Sequence, residues 1–273
     1  MGLFQINYNR PGPGVNKNAP KKKSFFLFFE LFFRKFWDLI KLNLIFSIPM
    51  LIAFVLIVFL NSVTNLSFIL LLPVLLIFPF MAGLTFVTRN YAREEHAFIL
   101  SDFIGAVKSN WAAFLINGVV CYAAYVILSV SITYYSAQMK SNNIFFIPLA
   151  VCIGISILFV FAQYYVPTMI ITFDLKLSQI YKNAIIFSII GLWRNLLITV
   201  ILSLISFGFF ILTQWMPLTF ILAGVLAIFI LFSFCMFLIN FTVYPLIDKT
   251  MIAPYREKDD NAKSEIDFHN HIK

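Results

Sequence analysis

Charge is what this sequence has least of. Only 12% of its 273 residues are Asp, Glu, Lys or Arg, against 61% hydrophobic residues. That is too little polar surface to coat a water-soluble globule of this length, so the chain's solvent is lipid. Four long windows, 42–88, 109–139, 141–173 and 195–247, contain no Asp, Glu, Lys or Arg at all. Proton- and ion-coupled transporters usually hold such a residue inside the membrane, and its absence weakens that class of function. Cysteine is also scarce. Cys121, Cys152 and Cys235 sit in three separate apolar runs, without the spacing of a metal site or a disulfide framework, and read as small packing residues. No nucleophile, base, paired carboxylates or metal-ligand cluster stands at usable spacing, so no catalytic, cofactor or metal residue is assigned and enzymatic activity is not expected. His269 and His271 lie in a polar tail and read as solvated rather than as metal ligands.

The net charge of +8 would suit nucleic acid or an anionic membrane. Its placement decides between them, because the basic residues flank apolar runs, beginning with Lys21, Lys22 and Lys23, and no nucleic-acid module is present. The polar N-terminal segment, rich in Pro and Gly, leads into one apolar run after another without a small-residue cleavage site, which argues against a removable signal peptide. Ile6 stands where N-myristoylation needs Ser or Thr.

What is present is a series of apolar runs long enough to cross a bilayer, each of about 20 residues. They place transmembrane helices at 42–60, 67–86, 112–134, 144–167, 195–213 and 218–243, within one membrane domain, 24–254, between polar segments 1–23 and 255–273. The short loops on one side carry a single basic residue, Lys140, while the remaining charges lie on the other side. By the bias of Lys and Arg toward the cytoplasm, both termini are cytoplasmic and the protein is a multi-pass protein of the cell membrane. Trp215, Tyr134 and Tyr135 then fall at the outer interface.

The connectors on the basic side are not plain loops. In 24–41, Glu30, Arg34, Asp38 and Lys41 recur at helical spacing among Phe, Leu, Ile and Trp, the pattern of an amphipathic helix lying in the membrane interface. Similar stretches, 101–111 and 174–193, precede the third and fifth crossings, and Trp37, Trp111 and Trp193 close the three. The expected architecture is all-α: six transmembrane helices as three hairpins, each preceded by a cytoplasmic interfacial amphipathic helix. Internal repetition and independent tryptophan anchoring both explain the recurrence.

The intramembrane polar residues Asn43, Asn117, Gln163, Asn195 and Asn240, with Thr168 and Thr242, serve either as hydrogen bonds between helices or as a substrate-binding set. Pro49, Pro73, Pro148 and Pro167 are candidate kinks. Arg89, Arg93, Glu94, Glu95, His96 and Trp111 are candidates for interaction on the cytoplasmic side.

Particular residues carry a further likeness. Pro11 to Val15, Pro20 to Lys23, Phe28–Phe29–Glu30, Arg34–Lys35–Phe36–Trp37 with Leu42–Asn43, Gly83–Leu84–Thr85, Arg89 through His96, and Lys108–Ser109–Asn110–Trp111 together resemble the YesL-like family (DUF624) of bacterial membrane proteins of unknown function. The resemblance is detailed over about the first 110 residues and elsewhere is one of hydrophobic layout. It implies a setting beside sugar-import ABC transporters and glycan-degrading enzymes, and transfers no catalytic residue. The expected function is an accessory or regulatory subunit of carbohydrate uptake, whose partners are the bilayer and an ABC-type sugar transporter. The alternative is a transporter or facilitator of a small polar solute.

Overall fold

The computed structural model describes residues 24–64 and 66–255. The Pro–Gly run, Lys21 to Lys23, His269 and His271 lie outside the described residues. Within them the chain is an all-α integral membrane protein. Six helices are long and apolar enough to cross a bilayer: Phe36–Val63, Phe68–Ala92, Ile99–Met139, Asn143–Thr172, Leu192–Trp215 and Leu218–Tyr255. They are the first to sixth spans below. Two shorter helices, the leading helix Ser24–Arg34 and the approach helix Leu177–Ile190, precede the first and fifth spans. With six crossings, Ser24 and Tyr255 return to the same end, here termed the basic end.

The spans are longer than the apolar runs, because backbone hydrogen bonding continues past the hydrocarbon layer into residues that water can solvate. This moves two predicted elements. No separate amphipathic helix 101–111 exists, since Ile99–Met139 is one continuous helix of 41 residues, about 62 Å at 1.5 Å per residue. It is longer than a hydrocarbon core of about 30 Å requires, and its first turns pack on the second span, with the Phe103 ring against Gly83. The predicted helix 24–41 instead breaks at Lys35, so Trp37, Asp38 and Lys41 belong to the first turns of the first span. Its charge stripe is divided. Arg34 pairs with Glu94 at 3.3 Å, while Asp38 pairs with Lys41 at 3.4 Å within the span. The third predicted helix, 174–193, is separate as expected but ends earlier, at Ile190, and Trp193 again belongs to the span that follows.

Burial is concentrated toward the basic end. The first span buries residues from Leu39 to Ala53 and none beyond; the third buries Phe103 to Gly118; the fifth buries only Asn195 and Ile198. Two apolar clusters form there. One joins the leading helix to the first, second and sixth spans through Phe28, Leu31, Leu42, Val87 and Phe237. The other joins the third to sixth spans and the approach helix through Phe114, Tyr165, Met169, Ile180 and Ile247. The second and third spans fit each other through reciprocal glycines. The Phe103 ring lies where a Cβ on Gly83 would be, and the Phe78 ring where a Cβ on Gly118 would be. Small residues that admit a neighbour this closely are the usual means by which membrane helices gain dispersion contact, since lipid supplies no hydrophobic force between them.

Candidate functional site

The polar residues inside the spans form three separate clusters. The first lies between the first and sixth spans. From Ala227 to Leu231 the sixth span loosens into a π-helical turn, which misaligns the backbone ladder and leaves groups that lipid cannot satisfy. Asn43 repairs the defect. Its Nδ2 donates to the carbonyls of Ala227 and Ile228, both at 2.7 Å, and its Oδ1 accepts from the Ser233 N–H at 2.8 Å. Ser47 donates to the Ile228 carbonyl at 3.0 Å. Asn43 and Ser233 are fully buried.

The second cluster is a node where the second, fourth and sixth spans converge. Asn240 Oδ1 accepts from Thr168 Oγ1 at 2.6 Å, and Asn240 Nδ2 donates to Thr88 Oγ1 at 2.8 Å and to the Thr85 carbonyl at 3.3 Å. All four residues are wholly buried. Each of these spans is the second helix of its hairpin, so the three hairpins meet through equivalent members. From the node the bonding continues to Thr172, which donates to the Thr168 carbonyl, and then to Arg89, which donates to Thr172 Oγ1 and the Ile171 carbonyl, both at 3.1 Å.

Arg89, a candidate for interaction on the cytoplasmic side, is only 7% exposed. Its Nε and Nη2 donate to Asn90 Oδ1, at 3.3 and 3.0 Å, and its guanidinium lies 4.9 Å from the centre of the Phe86 ring. Among the described residues no carboxylate pairs with it. A buried cation is costly unless its donors are met, and here carbonyl, hydroxyl, amide and ring face meet them. The chemistry is that of a clasp tying the second span to the fourth.

The third cluster spans the break before the fifth span. The approach helix stops at Gly191, where a Cβ would strike the Tyr165 hydroxyl and the Phe187 carbonyl. Asn195, one turn into the span, donates to the carbonyl of Ser188 at 3.0 Å and accepts from Tyr165 Oη at 2.8 Å. It thereby links the approach helix, the fifth span and the fourth. Asn117 accepts from the Tyr181 hydroxyl of the approach helix. Gln163 differs from the other amides, because its Nε2 is buried with no hydrogen-bond partner. The five amides therefore do not converge on one site.

The remaining candidates form the connector between the second and third spans. Arg93 pairs with Glu95 at 2.6 Å and lies over the Tyr244 ring at 5.1 Å. Glu94, at φ 62°, occupies the left-handed position that ends the helix. The Glu95 N–H returns to the Asn90 carbonyl and the Glu94 N–H to that of Tyr91, which is a Schellman ending with glutamate where glycine is usual. His96 packs on Phe98 with ring centroids 4.8 Å apart. Trp111 is 54% exposed. Among the described residues no group of three or more His, Cys, Asp or Glu is placed to hold a metal ion.

Thr85 and Thr88 were missed as site residues. Their signal was present in a Thr-x-x-Thr spacing that puts both on one helix face, but a hydroxyl that can bond its own helix gives no indication of a partner.

No curated protein matches this chain, and no solved structure matches it. One family model does match, that of DUF624, a protein family of unknown function, over residues 57–132. The motifs at Gly83, Arg89 to His96 and Trp111 fall inside that match, and those before residue 57 fall outside it. Over this segment, from the end of the first span into the third, the chain is similar to DUF624.

Proposed function

We propose that the chain is an accessory or regulatory subunit of a carbohydrate uptake system of the ABC type in a bacterial cell membrane, acting through connectors that face the cytoplasm. The observation that carries this reading is where the polar groups are used. Asn43, Asn117, Asn195 and Asn240 are all bonded to the fold's own backbone and side chains. The basic end, by contrast, carries the exposed Trp111 and the Arg93–Glu95 connector. Cytoplasmic orientation rests on the excess of Lys and Arg at that end, and the partner class rests on the family resemblance.

Purification of the tagged full chain from native membranes in mild detergent tests this reading. The expected result is co-purification of a sugar-import permease or its ATPase, together with reduced sugar uptake on deletion of the gene. Recovery of no transporter component, with uptake unchanged, overturns it.

A solute path through the protein is the second reading, and Gln163 is the observation that favours it, since a buried amide nitrogen without a partner is a place where a polar solute can bind. Purified protein in liposomes that conducts sugar, and loses the conductance in Gln163→Leu, would establish that reading in place of the first.

A further inference from the structure

Beside the fifth span the fold leaves a groove of about 520 Å³, within the size range of ligand sites. The leading helix forms one wall through Phe28, the fifth span another through Leu197 and Ile201, and the sixth span a third through Leu238 and Phe241. The groove is apolar over most of its surface. Among the residues lining it, Arg194 is the one that carries charge. Arg194 is exposed and makes no ion pair among the described residues. Its neighbour Trp193 is 79% exposed, and an exposed tryptophan at the end of a span marks the level of the lipid headgroups. The groove thus runs from the headgroup level into the depth of the acyl chains, with one unpaired guanidinium at its upper rim.

We propose that this groove holds an anionic phospholipid, one acyl chain lying between the leading helix and the fifth and sixth spans and the phosphate resting on Arg194. Charge selects the occupant. A guanidinium offers planar paired donors that match phosphate oxygens, and basic pockets between membrane helices are recognised sites for anionic headgroups. Relative to bulk lipid an acyl chain gains little from apolar walls, and the selectivity comes from Arg194. The lipid would fasten the loosely packed fifth span to the rest of the bundle.

The full chain in phosphatidylcholine nanodiscs doped with phosphatidylglycerol provides the test, with retained lipid read by native mass spectrometry. Wild-type protein is expected to retain phosphatidylglycerol in preference to phosphatidylcholine. Arg194→Gln should lower that preference about tenfold, the effect of losing one charge-assisted contact, while Lys140→Gln at the opposite end should leave it unchanged. A benzophenone side chain introduced at Leu197, which is exposed and lines the groove, should cross-link to phospholipid. Equal retention of both lipids, an Arg194→Gln variant that keeps the preference, or a cross-link from Leu197 to residues 1–20 or to a second copy overturns the proposal.

Discussion

The basic half of the molecule and the opposite half are built from the same six helices and differ in how those helices meet. Gly83 and Gly118, in the basic half, are each filled by a phenylalanine ring of the other's helix, whereas Gly154 and Gly208 have no neighbouring atom within 4 Å of where a Cβ would stand. The polar clusters at Asn43, Asn240 and Asn195 lie in the packed half with both apolar clusters. Toward the other end the third, fourth and fifth spans present Ile127, Val130, Ile153, Ile155, Phe207 and Phe210 outward, where lipid is the neighbour. In a bilayer an apolar side chain gains little by leaving lipid for protein, so helices converge only where close packing or polar links reward it.

The largest effect expected from this contrast is at the glycines. Gly118→Leu should destabilise the fold by about 3 kcal/mol through overpacking against Phe78, while Gly154→Leu should cost less than about 0.5 kcal/mol, as at other sites away from such features. Loss of monodisperse protein on heating in mild detergent measures both, and equal sensitivity would erase the distinction between the halves. Next is the repaired π-helical turn. Asn43→Leu removes three hydrogen bonds and leaves the Ser233 N–H without its partner in an apolar setting, and a cost of about 2 kcal/mol is expected. In hydrogen exchange the amides around Ser233 should lose protection before those of the fourth span.

Asn240→Val cuts the node where the three hairpins converge, and about 1 kcal/mol is expected, because interhelical hydrogen bonds in membranes are individually modest. A double-mutant cycle with Thr168→Val should show coupling, whereas additivity would remove Asn240 and Thr168 from one network. The smallest effect is at Glu94. Glu94→Gly relieves left-handed backbone strain of about 1 kcal/mol and gives up the exposed pair with Arg34, which contributes about 0.5 kcal/mol. A melting temperature that rises slightly or stays level is expected, and a marked fall would mean that the connector's ion pair holds the leading helix in place.

Arg89 shows how far the sequence could be read. Its place beside Arg93, Glu94 and Glu95 suggests a solvated charge cluster, because charge next to an apolar run ordinarily lies at the interface. What reverses that reading is Thr172 and the Ile171 carbonyl, far along the chain, arriving within hydrogen-bonding distance. Asn43 is the same case, since its purpose is a defect in a helix that begins at Leu218. Neither partner has a local signal, because a buried polar residue in one helix is compatible with any acceptor the fold delivers.

The scarcity of charge by itself determined the solvent and the number of crossings, since both follow from the cost of placing charge in hydrocarbon and need no partner to be known. The breaks at Lys35 and Gly191, the unbroken helix through Trp111, the convergence of the second, fourth and sixth spans on Asn240, and the groove beneath the leading helix were decided only in three dimensions. Lipid treats every apolar face alike, and only contact between particular helices distinguishes one from another.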